Sequence, residues 1–161
     1  MNLANIRWAD VLTALVALYG AVLSTIIAVR EWRGKRPNIR VEVSEGRVQL
    51  SLDAWSDHSI FIEAHNQGHK AVTLSIVVGF ILPDGERWVI PRPLGNVTFP
   101  YDLLPEKRGM AYTPAHKLAA DVNALGFRSK VSLIGYHDDE VGRRHKSKPS
   151  IFDMNTAKLV K

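Results

Sequence analysis

The 161-residue chain contains no cysteine. This absence excludes disulfide bonds, thiolate metal sites, a cysteine nucleophile and lipid attachment to a cysteine. It also fits a reducing compartment, where disulfides are rare. A glycine-rich phosphate loop, a nucleophile elbow and an HExxH zinc motif are missing as well. We therefore predict that the protein is not an enzyme and that it uses no cofactor and no metal.

Charge and proline are both missing from one long stretch, Val11–Val29, which reads VLTALVALYGAVLSTIIAV. As an α-helix rising about 1.5 Å per residue, it would approach the thickness of a bilayer's hydrocarbon core. The stretch is longer than the apolar region of a signal peptide, and Asp10 partly cancels the charge of Arg7 before it. A buried helix of a soluble domain seldom needs such a long uncharged run. The sequence predicts a single transmembrane helix that is retained.

The flanks of this helix predict its orientation. The stretch that follows it, REWRGKR, is strongly basic, whereas a single arginine precedes it. Basic flanks remain in the cytoplasm, so the N-terminus is expected outside and the C-terminal domain inside. Tryptophans stand near both ends, where aromatic anchors meet the headgroups. We predict six residues at the membrane interface: Trp8, Trp32, Arg30, Arg33, Lys35 and Arg36.

The net charge of +5 is concentrated beside this helix. The first 36 residues carry five basic and two acidic side chains, which leaves sixteen against fourteen in the rest of the chain. Because the C-terminal part is nearly balanced, the basic pI gives no reason to expect nucleic-acid binding. The predicted partners are the lipid bilayer and a protein that the sequence does not identify.

Small residues at four-residue spacing line one face of the predicted helix. Such residues let two helix backbones approach closely in lipid. The stripe predicts self-association of the helix, and hence a homo-oligomer, or else it faces lipid without a partner. Its members are Ala17, Gly20, Ala21, Ser24 and Ala28.

After the helix, the pattern changes to short alternating stretches that are typical of β-strands. Asn38–Ser44 and Arg47–Leu52 flank Gly46, which predicts a hairpin between them. Ser59–Asn66 and the β-branched Ala71–Leu82 are the next strands. Later strands are predicted at Arg87–Ile90, Gly109–Tyr112, Lys130–Tyr136 and Arg143–Lys148, with a bulge or bend at Gly79.

One short helix interrupts the strands. Thr113 is expected to cap it and Pro114 to occupy its first turn, while Gly126 is expected to end it. Leu118, Val122 and Leu125 have helical spacing and are predicted to form its apolar face.

Strands at this spacing, with turn residues between them, predict an all-β sandwich. The fold class is therefore an immunoglobulin-like antiparallel β-sandwich with one short connecting helix, preceded by a single N-terminal transmembrane α-helix. The segments are a flank at 1–10, the membrane helix at 11–29, a basic hinge at 30–37, the sandwich at 38–153 and a frayed tail at 154–161.

Three stretches carry a resemblance to known proteins: His65–Leu74 (HNQGHKAVTL), Gly79–Gly85 (GFILPDG) and Val131–Pro149 (VSLIGYHDDEVGRRHKSKP). With them, the chain resembles uncharacterised small bacterial and phage proteins that join one membrane anchor to an immunoglobulin-like sandwich. The resemblance covers most of residues 38–153. It implies the fold and no catalytic residues, since a fold does not determine a function.

Two polar clusters contain residue types that can bind metals. His65 and His69 flank a turn, but no third ligand has a diagnostic spacing, so surface histidines are expected. Asp138–Glu140 lacks the alternating oxygen ligands of a calcium loop and predicts an acidic hairpin turn.

The basic strand after this turn is either a solvated sheet edge, where cations discourage aggregation, or a binding edge for an acidic partner or lipid headgroups. The residues of the binding edge would be Arg143, Arg144, Lys146 and Lys148. We predict a membrane-anchored interaction module that recruits an unknown partner. The alternatives are a structural subunit that assembles through its transmembrane helix and an enzyme with a dispersed active site.

Overall fold

A computed structural model describes residues 8–34, 37–49 and 55–160 of the chain. The chain divides into two compact units, Met1–Arg36 and Pro37–Lys161. The described part of the first unit is a helix, whereas the second is mostly antiparallel β-sheet with one helix.

The N-terminal unit contains helix α1, Trp8–Gly34. Its segment Val11–Glu31 is long and apolar enough to cross a membrane, and none of it is buried inside the protein. Its two central hydroxyls donate to the carbonyl of Ala21, Ser24 at 3.1 Å and Thr25 at 2.8 Å. Their polarity is therefore satisfied within the helix, as an apolar surrounding requires.

The hinge predicted at residues 30–37 is shorter than expected, because α1 continues through Arg30 to Gly34. Nothing in the sequence between those residues opposes a helix, and the residues that break one, Gly34 and Pro37, come only afterwards. The first basic residues after the apolar stretch thus belong to the last turns of the helix.

The C-terminal unit contains two antiparallel sheets. The first has the order β1-β2-β7-β5, with β1 at Ile39–Gly46, β2 at Ser59–Asn66, β5 at Leu94–Gly95 and β7 at Arg108–Pro114. The second has the order β11-β10-β8-β3-β4, with β3 at Val72–Ile81, β4 at Arg87–Val89, β8 at Lys130–Asp139, β10 at Ser150–Asp153 and β11 at Lys158–Val160. Two short strands lie beside this path: β6, Tyr101–Leu103, pairs with β3, and β9, Arg144–Lys146, pairs with β8.

The inward side chains of both sheets meet in a large core cluster and a smaller one, the latter formed by Ala64, Val72, Leu74 and Leu103. Ile60 and Ile62 from β2 are fully buried with Phe80 from β3 and Leu133 from β8. Because successive side chains of a strand point to opposite faces, Ile60 and Ile62 share the core face of β2, whereas Phe61 between them packs against Tyr112, with 5.3 Å between ring centroids. The helix α2, Ala115–Ala124, adds its apolar face to the same core.

The hairpin predicted at the start of the domain is wrong. Strand β1 pairs with β2, from Ile39 opposite Asn66 to Gly46 opposite Ser59. Within the predicted strand at 47–52, Gln49 forms an isolated bridge with Trp55, and residues 50–52 lie outside the described residues. Alternation identifies a half-buried strand but not its neighbour, and the almost fully buried β2 needs a partner on both sides.

The start of α2 also differs from the prediction. Thr113 is buried within β7 and caps nothing, while Pro114 occupies the N-cap position without a side-chain hydrogen bond. The backbone of Ala115 instead donates to the carbonyl of His58 at 2.8 Å, so a tertiary contact replaces the cap.

The apolar face of α2 is confirmed at Leu118 and Val122, which are fully buried. The third expected member, Leu125, is half exposed because the helix ends before it. Gly126 follows with φ of 92°, a left-handed conformation that favours glycine and ends the helix as predicted.

The irregularity predicted at Gly79 lies earlier in β3, where the pairing with β8 shifts between Leu74 and Val78. Gly79 does not form the bulge; it lies where β3 closely approaches the neighbouring strand. A side chain at this position would collide with the carbonyl oxygen of Trp88 on the adjacent β4. Glycine therefore allows the two strands to approach closely.

The tail expected to be frayed after residue 153 is ordered into the sheet. Residues 154–157 form a turn, and β11 pairs with β10. The Leu159 amide donates to Oε2 of Glu45 at 2.7 Å, and Nε2 of His58 lies 3.3 Å from the same oxygen. This carboxylate connects the end of the chain to β1, a contact between distant residues that the local sequence of the tail does not reveal.

Candidate functional site

Asn66 organises the loop that follows β2. Its side chain is fully buried, and Nδ2 donates to the carbonyls of Lys70 at 2.7 Å and Leu103 at 2.8 Å. Its Oδ1 accepts the amide of Gly68 at 2.9 Å, and a Cβ on that glycine would lie only 3.0 Å from the backbone nitrogen of Asn38. The Asn-x-Gly sequence is thus a packing requirement of this loop.

The hairpin between β8 and β9 is organised by Asp139. Its carboxylate is buried, and Oδ1 accepts the amides of Val141 at 3.1 Å and Arg143 at 2.7 Å. Oδ2 lies 3.2 Å from Nε2 of His145, and Gly142 turns the chain with φ of 80°. The acidic turn is therefore a structural hairpin. Among the described residues, no group of three acidic or histidine side chains could hold a metal.

His137 lies beside this hairpin, opposite His145 in the strand register. Its ring is fully buried against Phe99, with 5.6 Å between ring centroids, and neither nitrogen makes a well-aligned hydrogen bond to any residue that the structure describes. Burial lowers the pKa of His137 to about 4. The interaction with the backbone of Ile62 acts in the other direction and raises this pKa, but by less than burial lowers it. His137 is therefore neutral at neutral pH. Sequence reasoning missed it, although it continues the inward alternation of Val131 and Leu133.

His137 is expected to make the protein less stable in mild acid. Its pKa is about 4 when folded, below the ordinary value of 6.5, so between these values the unfolded state binds more protons and stability rises with pH. From pH 7.5 to pH 5 this group alone should remove roughly 2 kcal/mol of unfolding free energy. Urea unfolding of the full chain in an uncharged detergent at both pH values measures the loss.

The His137→Leu variant should lose correspondingly less stability between the two pH values, because leucine fills a similar volume and cannot take up a proton. The exposed His116 provides the matched control, and His116→Leu should follow the wild-type pH profile. The assignment fails if His137→Leu and the wild-type chain lose the same free energy on acidification.

The four basic residues predicted as a binding edge are not equivalent. Arg144 donates from Nε and Nη2 to the two carboxylate oxygens of Asp138, each at 2.7 Å, and its guanidinium lies 4.7 Å above the ring of Tyr136. The hydrogen bond to Asp138 raises the pKa of Arg144, and the pair leaves little free charge. Arg143 stands exposed in the turn before β9.

The other two, Lys146 and Lys148, line a groove of about 420 Å³ between β1 and the segment 146–150. The opposite wall includes Arg40, Glu42 and Ser44 of β1. This groove is formed by the edges of two different sheets, which the sequence could not place together because they lie a hundred residues apart.

The residues predicted at the membrane are only partly described. Trp8 is 85% exposed at the start of α1, and Arg30 is exposed near its end. The side chains of Trp32 and Arg33, and the whole of residues 35–36, lie outside the described part. The predicted helix contact residues are all exposed on α1: Ala17, Gly20, Ala21, Ser24 and Ala28.

No protein-family model matches the chain, and no curated protein matches it. Among solved structures, the chain is similar to Northeast Structural Genomics Consortium target SoR45, solved by X-ray. The identity is 17%, the match covers 71% of this chain and 83% of that one, and the TM-score is 0.36. A likeness of this strength assigns neither a fold family nor an activity.

Proposed function

We propose that this protein is a single-pass membrane protein whose C-terminal domain, an immunoglobulin-like β-sandwich, binds a partner protein at the membrane surface. The helix confines the domain to the bilayer surface, and the domain recruits the partner protein there. The N-terminus lies outside and the domain in the cytoplasm. This plan is that of the small membrane-anchored bacterial and phage proteins that the sequence resembles.

The observation that carries this proposal is α1. Its large apolar side chains, from Leu12 to Val29, are exposed, and none of the apolar span is buried among the described residues. Exposing so many large apolar groups to water would be strongly unfavourable, at about 25 cal/mol per Å². A core helix would be buried, and a signal peptide would have a shorter apolar region. Lipid is the surrounding that suits this surface.

The strand order supports the immunoglobulin-like assignment. In such domains strands A, B, E and D form one sheet, while G, F and C, in some cases with C′, form the other. If β1, β2, β3, β4, β5, β7, β8 and β10 take the letters A, B, C, C′, D, E, F and G, the two sheets read A-B-E-D and G-F-C-C′. Helix α2 then lies between E and F, and β6, β9 and β11 are short additions.

A role without catalysis is supported by the chemistry of the polar groups. The pair nearest to a catalytic dyad is Asp139 and His145, but Asp139 is buried and committed to hairpin amides. His137 is buried without access to solvent. A general base must reach its substrate, so these groups suit structural positions instead.

The membrane part of the proposal is tested by alkaline extraction of native membranes followed by intact-mass measurement. We expect the protein to remain with the lipid and its mass to include Val11–Val29, because the helix is a retained anchor. A mass that lacks this segment would mean that α1 is a cleaved signal sequence, and release at high pH would mean that the chain does not span the bilayer.

A further inference from the structure

Strand β1 has a free edge. It pairs with β2 on one side, where the amide of Gln67 donates to the carbonyl of Asn38 at 2.8 Å. In an antiparallel ladder only alternate residues direct their backbone groups to the partner strand. The N–H and C=O groups of Val41 and Val43 therefore point away from β2. Val41 is only 4% exposed and Val43 is half-buried, so an incoming strand meets this edge at Val43. Within the part of the chain that the structure describes, no other group bonds to them.

The other wall of the groove has a free edge too. The amide of Ser147 donates to the carbonyl of Gly135 at 2.8 Å, and that of Asp139 donates to the carbonyl of Arg143 at 2.9 Å. This alternation directs the backbone groups of Lys146 away from β8. Two unpaired strand edges from different sheets thus border the same groove, and a further strand can pair with one of them, the edge of β1.

The charged side chains of this groove that have no ion-pair partner among the described residues are positive. Each of its two carboxylates already has a cationic partner, because Arg40 lies 2.6 Å from Glu42 and Arg108 lies 3.8 Å from Glu63. Lys146 and Lys148 are exposed, and in the described residues no carboxylate lies within ion-pair distance of either. An occupant that follows the edge of β1 therefore meets two unpaired cations.

We propose that this groove binds an acidic, extended segment of the partner protein. The segment adds as a strand to the free edge of β1, and its carboxylates contact Lys146 and Lys148. Backbone pairing supplies affinity with little dependence on sequence, while the lysines select for acidic side chains. The inference rests on the proposed function, since it requires a protein partner, and it specifies the surface and the chemistry of that partner.

The test uses the full chain in an uncharged detergent and a synthetic peptide, acetyl-Glu-Thr-Glu-Val-Glu-Thr-Glu-amide. Amide NMR should show that the peptide shifts the signals of Val41, Val43 and Lys146 and slows hydrogen exchange at Val43. A peptide with lysine in place of every glutamate should bind at least about tenfold more weakly. Methylation of alternate peptide nitrogens should also abolish binding, because it removes the donors that pair with β1.

The variant Lys146→Glu with Lys148→Glu should weaken the acidic peptide by about tenfold or more. Both residues are exposed, so the fold should be unchanged. The matched control, Lys117→Glu with Lys130→Glu, makes the same change in net charge at exposed positions outside the groove and should bind as the wild type does.

Several results would overturn this inference. One is the absence of any signal shift at about 1 mM peptide. In that case the lysines would serve only to discourage edge-to-edge aggregation of the domain. Others are equal binding of the acidic and basic peptides, or equal binding of the methylated peptide. Shifts at Val41 and Val43 that depend on protein concentration alone would mean that a second copy of the chain occupies the edge.

Cross-linking in native membranes separates a failure of this inference from a failure of the proposed function. If wild type and Lys146→Glu with Lys148→Glu capture the same partner equally, the domain is an interaction module and this groove is not its site. If neither captures more than the helix alone, the proposed function itself fails.

Discussion

Two arginines in the middle of α1 are expected to release the protein from the membrane. In the variant Leu18→Arg with Val22→Arg, the charges lie one turn apart near the centre of the apolar stretch. Each arginine at the centre of a membrane helix costs about 2.5–3.5 kcal/mol of insertion free energy. The two together should outweigh the apolar gain of a single helix of this length. In a vesicle flotation assay, the variant should stay at the bottom of the gradient.

The matched control is Leu18→Ala with Val22→Ala, which keeps the helix uncharged and should float with the wild type. Both positions are exposed on α1, and the core of the β domain begins at Val41. Circular dichroism of the β domain should therefore be unchanged in both variants. If the arginine variant floats as well as the alanine variant, α1 does not anchor the protein.

Asn66→Asp is expected to cause the largest loss of stability among single substitutions in the β domain. The carboxylate is the same size as the amide, yet it loses both donors and faces the carbonyls of Lys70 and Leu103. At a fully buried position, two unpaired carbonyls and an uncompensated charge should cost roughly 3–5 kcal/mol. Urea unfolding at pH 7.5, followed by tryptophan fluorescence, measures this loss.

Asn123→Asp is the control, because this exposed asparagine of α2 makes no hydrogen bond through its side chain in the described part of the structure. It should change the unfolding free energy by less than about 0.5 kcal/mol. A loss below about 1 kcal/mol for Asn66→Asp would contradict the role of Asn66 as the anchor of its loop.

Local patterns in the sequence were sufficient for most individual elements. The uncharged run from Val11 to Val29 predicts α1, and alternation predicts β2 over Ser59–Asn66, which is confirmed residue for residue. Gly126 marks the end of α2. These features depend on neighbouring residues, so a short window contains the physical information that determines them.

Pairing between distant elements could not be predicted in the same way. Nothing in residues 38–52 shows that β1 pairs with β2, because alternation is equally satisfied by a hairpin. The Leu159 amide reaches Glu45 across more than a hundred residues. The buried position of His137 and the groove at Lys146 likewise depend on the packing of two sheets.

The basic strand shows how far composition can guide the search for a site. Arg143–Lys148 appears in the sequence as one patch of positive charge. In the structure Arg144 is paired with Asp138, which leaves Lys146 and Lys148 as the cations in the groove. Which of these charges is free depends on the hairpin geometry set by Asp139.

The central claim, an anchored domain on the cytoplasmic side, is tested most directly by cysteine accessibility. Because the chain has no cysteine, a single introduced thiol reports its own position without background. Glu86→Cys places a thiol in an exposed turn of the β domain, and Asn2→Cys places one before α1, outside the described residues. We predict that a membrane-impermeant maleimide applied to intact cells labels Asn2→Cys and leaves Glu86→Cys unlabelled until the cells are opened. Labelling of Glu86→Cys in intact cells would contradict the account.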